Sequence, residues 1–165
     1  MTLRHLPVRP PAPLPGGLAL RVVDSGRGGV SMEQAVEVAV LTDPGGVGDA
    51  EALVRDLRAW MPALRVFAAV DGDGVPRATS GVGVHGPRAV VVLVGTVPGW
   101  RRRGLGRAMT EVALADARAR VALTACLDAS SAGVSIYQRL GFDVTARTLR
   151  FSREEGRSVS ASSSR

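Results

Sequence analysis

Thr96-Val97-Pro98-Gly99-Trp100-Arg101-Arg102-Arg103-Gly104-Leu105-Gly106-Arg107 joins two segments of opposite character. Before it, residues 89–97 form an apolar run ending Val94-Gly95-Thr96-Val97, the pattern of a strand buried on both faces and therefore central in a sheet. After it, residues 104–120 place Leu105, Ala108, Met109, Val112, Ala115 and Ala119 on one side of a helix and Arg and Glu on the other. That is the signature of an amphipathic helix lying on a sheet. The first N–H groups of a helix have no partner within it and carry about half a positive charge, so they can hold a phosphate. Gly104 and Gly106 remove the side chains that would keep a diphosphate from those amides, and the flanking arginines add charge.

Working outward, residues 121–127 read as a second buried strand, 131–140 as a short helix ended by Gly141, and 142–151 as a last strand with Val144, Ala146, Thr148 and Arg150 alternating. Upstream, residues 66–70 and 76–84 flank Asp71-Gly72-Asp73-Gly74 and predict a hairpin, since Asp-Gly pairs supply the positive φ of tight turns. Ala52, Leu53, Leu57 and Trp60 recur at helical spacing over 49–60, before Pro62. Residues 18–23 are a short strand candidate, and 32–41 fit either helix or strand, with Ser31 as an N-cap for the former. The Pro/Gly-rich residues 1–17 and the Ser/Arg-rich residues 152–165 read as disordered tails, which leaves 18–151 as a single domain.

The strand, R-x-x-G-x-G turn and helix resemble the acyl-CoA-binding motif of the GNAT superfamily of N-acyltransferases. A second stretch strengthens the likeness: Leu127-Asp128-Ala129-Ser130, then Ile136-Tyr137-Gln138-Arg139-Leu140-Gly141-Phe142, is similar to a common bacterial form of that family. Together the motifs span roughly a third of the chain. The resemblance implies an α/β fold with a mixed central sheet of about six to seven strands, splayed between two central parallel strands and flanked by about four helices. It implies acetyl-CoA as co-substrate, with no metal, and transfer of the acyl group to a primary amine by direct attack. Amides of Arg102, Arg103, Gly104, Leu105, Gly106 and Arg107 would hold the diphosphate. The pantetheine arm would run beside Val94, Gly95 and Thr96, with Ser130 also at the cofactor, and Tyr137 would give a proton to the departing thiolate. Tyr137 also falls in the core-facing series Val134, Tyr137, Leu140, for which packing alone is the other reading.

The amine to be acylated is not written in the sequence. The central strand carries no acid, so the base that takes the amine proton is supplied elsewhere; Asp128, His85 and a water relay are the candidates by position. Residues 43–48, Asp-Pro-Gly-Gly-Val-Gly, fit a mobile loop over the acceptor, and Glu33, Glu37, Asp43, Asp49, Glu51 and Asp56 would suit a cationic amine. Two other classes compete: a catalytically silent acyl-CoA-binding module, and a nucleic-acid-binding domain exploiting the net charge of +6. Against the latter, all 21 basic residues are arginine and only 4% of residues are aromatic, so the charge reads as compositional bias and stacking surface is scarce.

Other chemistries find no support. Gly81-Val82-Gly83-Val84-His85-Gly86 fits G-x-G-x-x-G, but Pro87 and a valine-rich strand follow it where a dinucleotide site needs a helix. His5 and His85 are the only histidines and Cys126 the only cysteine, too few for a metal cluster, and Cys126 reads as a small buried hydrophobe. No apolar run approaches the roughly 20 residues of a membrane-spanning helix, and the prolines at 7, 10, 11, 13 and 15 break any secretory core. The expectation is a cytoplasmic protein with no nucleic-acid or membrane partner, and room for a homodimer.

Overall fold

The computed structural model of the protein describes residues 1–7, 10–23, 29–40, 50–60 and 63–147. Its strands are β1 (Thr2–Leu3), β2 (Ala19–Val22), β3 (Arg65–Val70), β4 (Pro76–His85), β5 (Arg88–Thr96) and β6 (Thr124–Cys126). The helices are α1 (Met32–Val40), α2 (Ala50–Trp60), α3 (Leu105–Ala119) and α4 (Val134–Arg139). One sheet runs in the order β1-β6-β5-β4-β3-β2. Every neighbouring pair is antiparallel except β5 and β6, which are parallel. The crossover between those two is α3, as a parallel pair requires.

The ambiguity at residues 32–41 is resolved by a local contact. Ser31 Oγ accepts from Gln34 N at 3.2 Å while Gln34 Oε1 accepts from Ser31 N at 2.9 Å, a reciprocal capping box that starts α1. Ser31→Ala should cost about 1 kcal/mol. For a domain of this size that lowers the melting temperature by roughly 2–4 °C, read from a thermal melt in which Ser31→Asp restores the loss.

The two central strands part early. Arg88, Ala89 and Val90 pair with Thr124, Ala125 and Cys126, and there the pairing stops, while β5 continues to Thr96. On its other side β5 carries a bulge: Thr79 faces Gly95 and Gly81 faces Val92, so three steps on β5 match two on β4. Leu93 takes up the extra residue with φ +53°, and Thr79 Oγ1 donates to its carbonyl at 2.9 Å. A bulge bends its strand and raises the local twist. Here it turns the last residues of β5 away from the line of β6 and opens the sheet at that end.

β4 is buried almost throughout, packed by α3 on one face and α1 on the other. Phe67, Ala69, Ala78, Val82 and Val91 meet Leu105, Met109, Val112, Ala113, Leu114 and Ala117 in the main core. Ser80, fully buried, donates to Met109 O at 2.7 Å, so its hydroxyl is satisfied under α3. The inward face of α3 therefore includes Ala113, Leu114 and Ala117, whereas Ala119, expected there, is exposed. Among the described residues no helix is long and apolar enough to cross a membrane.

Several expectations are corrected. The first residues of the chain, read as tail, form β1: Thr2 and Leu3 pair with Cys126 and Ala125, and Leu3 and Leu6 are buried. The outer edge of β6 offers unpaired backbone groups, and a leucine pair spaced by three can cover it. The segment then runs back along α3: Leu6 O accepts from Arg118, Leu14 packs on the core, and Gly16 lies against Trp100. The strand expected over 121–127 shrinks to three residues, because 121–123 are spent on ending α3. Val121 N and Ala122 N bond to Arg118 O and Ala117 O, Val121 takes φ +59°, and Val121 and Leu123 stand 81% and 65% exposed. Cys126 is exposed, not buried, since Ala125 and Leu127 take the core side of an alternating strand. Of the last strand expected over 142–151, the described residues form an isolated bridge between Asp143 and Thr2 with no regular structure over 144–147, and 148–151 lie outside the described residues. Residues 43–48 and 152–165 lie outside the described residues.

Candidate functional site

A cavity of about 540 Å³ opens where β5 and β6 part. One wall is the end of β5, with Val94, Gly95 and Thr96; the floor is the turn after it and the first turn of α3, with Arg101, Arg102, Gly104, Leu105, Gly106 and Arg107. The opposite wall comes from the segment into α4: Ser130, Ala132, Gly133, Ile136, Tyr137 and Arg139. Of the residues expected to hold the cofactor or to act as the acid, all but Arg103 line this one space.

The floor is built by an unusual backbone path. A 3-10 turn at Pro98–Trp100 is followed by Arg102 at φ +63° and Gly104 at φ +81°, which N-caps α3. The positive φ, and not crowding, is what requires glycine at 104, since nothing lies within 4 Å of a Cβ placed there. No side chain caps the helix and no acid sits in its first turn. The N–H groups of Leu105, Gly106 and Arg107 are thus left for a ligand at the positive end of the helix dipole. A Cβ at Gly106 would find only Ile136 Cδ1, at 3.8 Å. Nothing in the packing demands glycine there, so the space it leaves belongs to the cavity.

Arg103 is turned outward. Its guanidinium stacks on Trp100, 4.7 Å from the ring centroid, with Arg77 at 5.7 Å from the same ring, and it donates to Gly99 O at 3.3 Å. That clasp holds the turn. Arg101 does face the cavity and donates from Nε to Thr96 O at 3.2 Å, tying the floor to the end of β5. Arg107 pairs with Glu111 at 2.9 Å. Among the described residues four arginines and no acid line the cavity, so it favours an anion.

Tyr137 stands on the facing wall, only 8% exposed, its ring edge-on to Phe142 with centroids 6.0 Å apart. Burial pushes its phenol up from 10.0 to about 12, so it holds its proton at any ordinary pH. A Cβ at Gly133 would sit 3.0 Å from Tyr137 Cε2, so that glycine makes room for the ring. Sequence reasoning missed Gly133, Ile136 and Arg139. Spacing could have found the first two, since residues three and four apart share a helix face and 133, 136, 137 and 140 fall together, whereas Arg139 is two residues from Tyr137 and follows only from Ile136. Neither candidate base lines the cavity. Asp128 is exposed just before it, and His85 pairs with Arg88 at the opposite end of β5, about 20 Å along the strand from Val94.

The family model of the acetyltransferase (GNAT) domain matches residues 76–145, from the start of β4 past the end of α4. Over that stretch, a little under half of the chain, the sequence is similar to GNAT acetyltransferases. Its fold agrees. An acetyltransferase of Trypanosoma brucei superposes with a TM-score of 0.61 at 20% identity, over 82% of this chain and 99% of that one. A predicted acetyltransferase from Clostridium acetobutylicum, solved with acetyl-CoA, gives 0.63 at 18% identity, over 82% and 96%. AAC(6')-Iy, solved with the bisubstrate analog CoA-S-monomethyl-acetylneamine, gives 0.62 at 16% identity, over 84% and 99%. At such identities the likeness is one of fold. No curated protein matches the chain. The family match takes in every wall of the cavity and leaves out α1 and α2.

Proposed function

We propose that the protein binds acetyl-CoA in this cavity and transfers its acetyl group to a primary amine without a covalent enzyme intermediate. The observation that carries the reading is the uncapped start of α3, ringed by arginines, facing a protonated tyrosine across one cavity. The diphosphate is held by the amides of residues 102–107, and the pantetheine arm lies in the gap where β5 has lost β6, its amides meeting backbone groups at Val94 to Thr96. The Clostridium neighbour, solved with acetyl-CoA, supports the same choice of co-substrate.

In the reaction the amine nitrogen attacks the thioester carbon, the C–S bond breaks, and the sulfur leaves as a thiolate that takes the proton of Tyr137. A lysine-like amine has a pKa of about 10.4, so it must first lose a proton. Since no acid lines the cavity among the described residues, we assign that proton to water, which in turn restores the phenol. Full ionisation of Tyr137 is costly in its buried position. The phenol therefore directs its O–H at the sulfur first and passes the proton as the C–S bond breaks, so that no free tyrosinate builds up.

The test is calorimetric and thermal-shift titration with acetyl-CoA, followed by thiol release with a panel of amines. At a hundred times the dissociation constant, binding adds about 2.7 kcal/mol. That raises the melting temperature by roughly 5–10 °C. A protein neither bound nor stabilised would sink the cofactor assignment. Binding without thiol release from any amine would leave a silent acyl-CoA-binding module in its place.

A further inference from the structure

We infer that Arg139 is a specificity-determining residue that reads the 3′-phosphate of the coenzyme, setting CoA apart from its 3′-dephospho form. The inference rests on acyl-CoA occupying the cavity as proposed above.

CoA carries two separate anionic groups, a diphosphate in the chain and a phosphate monoester on the ribose, with the ribose between them. The floor of the cavity accounts for one: the amides at the start of α3 and the turn that carries Arg102 form a single seat. The other cations of that region have partners, with Arg103 on Trp100, Arg107 on Glu111 and Arg101 on Thr96 O. Arg139 differs in both respects. It comes from the opposite wall, in the last turn of α4, and among the described residues no carboxylate pairs with it.

Its position fits the second phosphate. Ile136 lies over Gly106, beside the diphosphate seat, and Arg139 follows three residues later on the same side of the helix, about 4.5 Å further along its axis. A group held there is displaced from the diphosphate but still within the cavity. A guanidinium presents a planar fork that matches two phosphate oxygens, and a monoester near neutral pH carries close to two charges. Arg139 is exposed, so it keeps the fork available without a desolvation cost to the empty protein.

Calorimetric titration of wild type, Arg139→Gln and Arg139→Lys with CoA and with 3′-dephospho-CoA tests this. Wild type should prefer CoA by about tenfold or more, the worth of a hydrogen bond to a charged group. Arg139→Gln should abolish the preference and leave the affinity for 3′-dephospho-CoA unchanged, and Arg139→Lys should keep part of it. Equal affinity of wild type for the two ligands would overturn the inference, and so would a preference that survives in Arg139→Gln. Equal weakening of both ligands by Arg139→Gln would also overturn it, since that assigns the side chain to the diphosphate or to the fold. Wild type that binds neither ligand overturns the acyl-CoA reading itself, a different failure and visible before any variant is made.

Discussion

Tyr137→Phe should lower turnover at saturating acetyl-CoA and amine by about a hundredfold, the lower end of what a positioned acid contributes. Affinity for acetyl-CoA and the melting temperature should stay near those of wild type. The separation follows from the surroundings of the side chain. Its ring is buried against Phe142 and above Gly133, contacts a phenylalanine keeps, while its hydroxyl makes no hydrogen bond to another described residue. Turnover unchanged in Tyr137→Phe would leave Tyr137 as packing alone. A fall in stability equal to the fall in rate would point the same way.

The pH dependence has a definite sign. Burial raises the phenol to about 12, so rising pH removes the amine's proton well before it removes that of Tyr137. The rate of wild type on subsaturating amine should climb through pH 8 and 9, and a fall due to loss of the tyrosine proton lies above about pH 11. An alkaline limb below pH 10 that vanishes in Tyr137→Phe would contradict this. The same shift links stability to pH only above pH 10. There the unfolded chain, with its phenol at 10, gives up the proton first, and the folded state loses ground as pH rises towards 12.

Gly95→Ala should be the most damaging single-methyl change in the site. A Cβ there would stand 2.6 Å from Ala39 Cα and 2.7 Å from Val38 O, both backbone atoms of α1. Neither can swing aside as a side-chain tip would, so the helix must lift or the bulged end of β5 must move. Overpacking of this kind costs about 3 kcal/mol. The melting temperature should drop by roughly 6–12 °C. Because Gly95 also lines the cavity, affinity for acetyl-CoA should weaken with it. Gly106→Ala is the control: its methyl meets only Ile136 Cδ1 at ordinary contact distance, so the fold should be untouched and any loss should fall on binding. Equal melting temperatures for Gly95→Ala and wild type would show that α1 does not rest on β5 where the structure puts it.

Much of the site was legible because its chemistry is local. The turn over residues 96–107 and the helix after it announce themselves by an apolar run, two glycines and an amphipathic period, and each falls where that pattern places it. Tyr137 and Ser130 come to the same cavity because a short helix follows a short strand, a relation written in adjacent residues. That the Arg103 side chain turns away from the cavity is not legible in the same way, since nothing in the sequence foretells that Trp100 captures its guanidinium. Cys126 was misjudged for a related reason: in a run of apolar residues the side facing the core cannot be chosen without a partner strand.

The sequence by itself determined the helix-start anion seat, the element order from β3 to α4, and the family resemblance, because those depend on residues within a few turns of one another. The tertiary structure alone decided the rest. The cavity exists because β6 stops after three pairs while a bulge at Leu93 bends β5 away, and bulge and mismatch are properties of strand pairing, not of either strand. The raised pKa of Tyr137 comes from burial by chain distant in sequence, and the N-terminal residues, by composition a tail, become the edge strand β1 since the open side of β6 needs one. What a residue's neighbours along the chain can satisfy is legible in the sequence; what waits for a partner from elsewhere is settled only when the sheet closes.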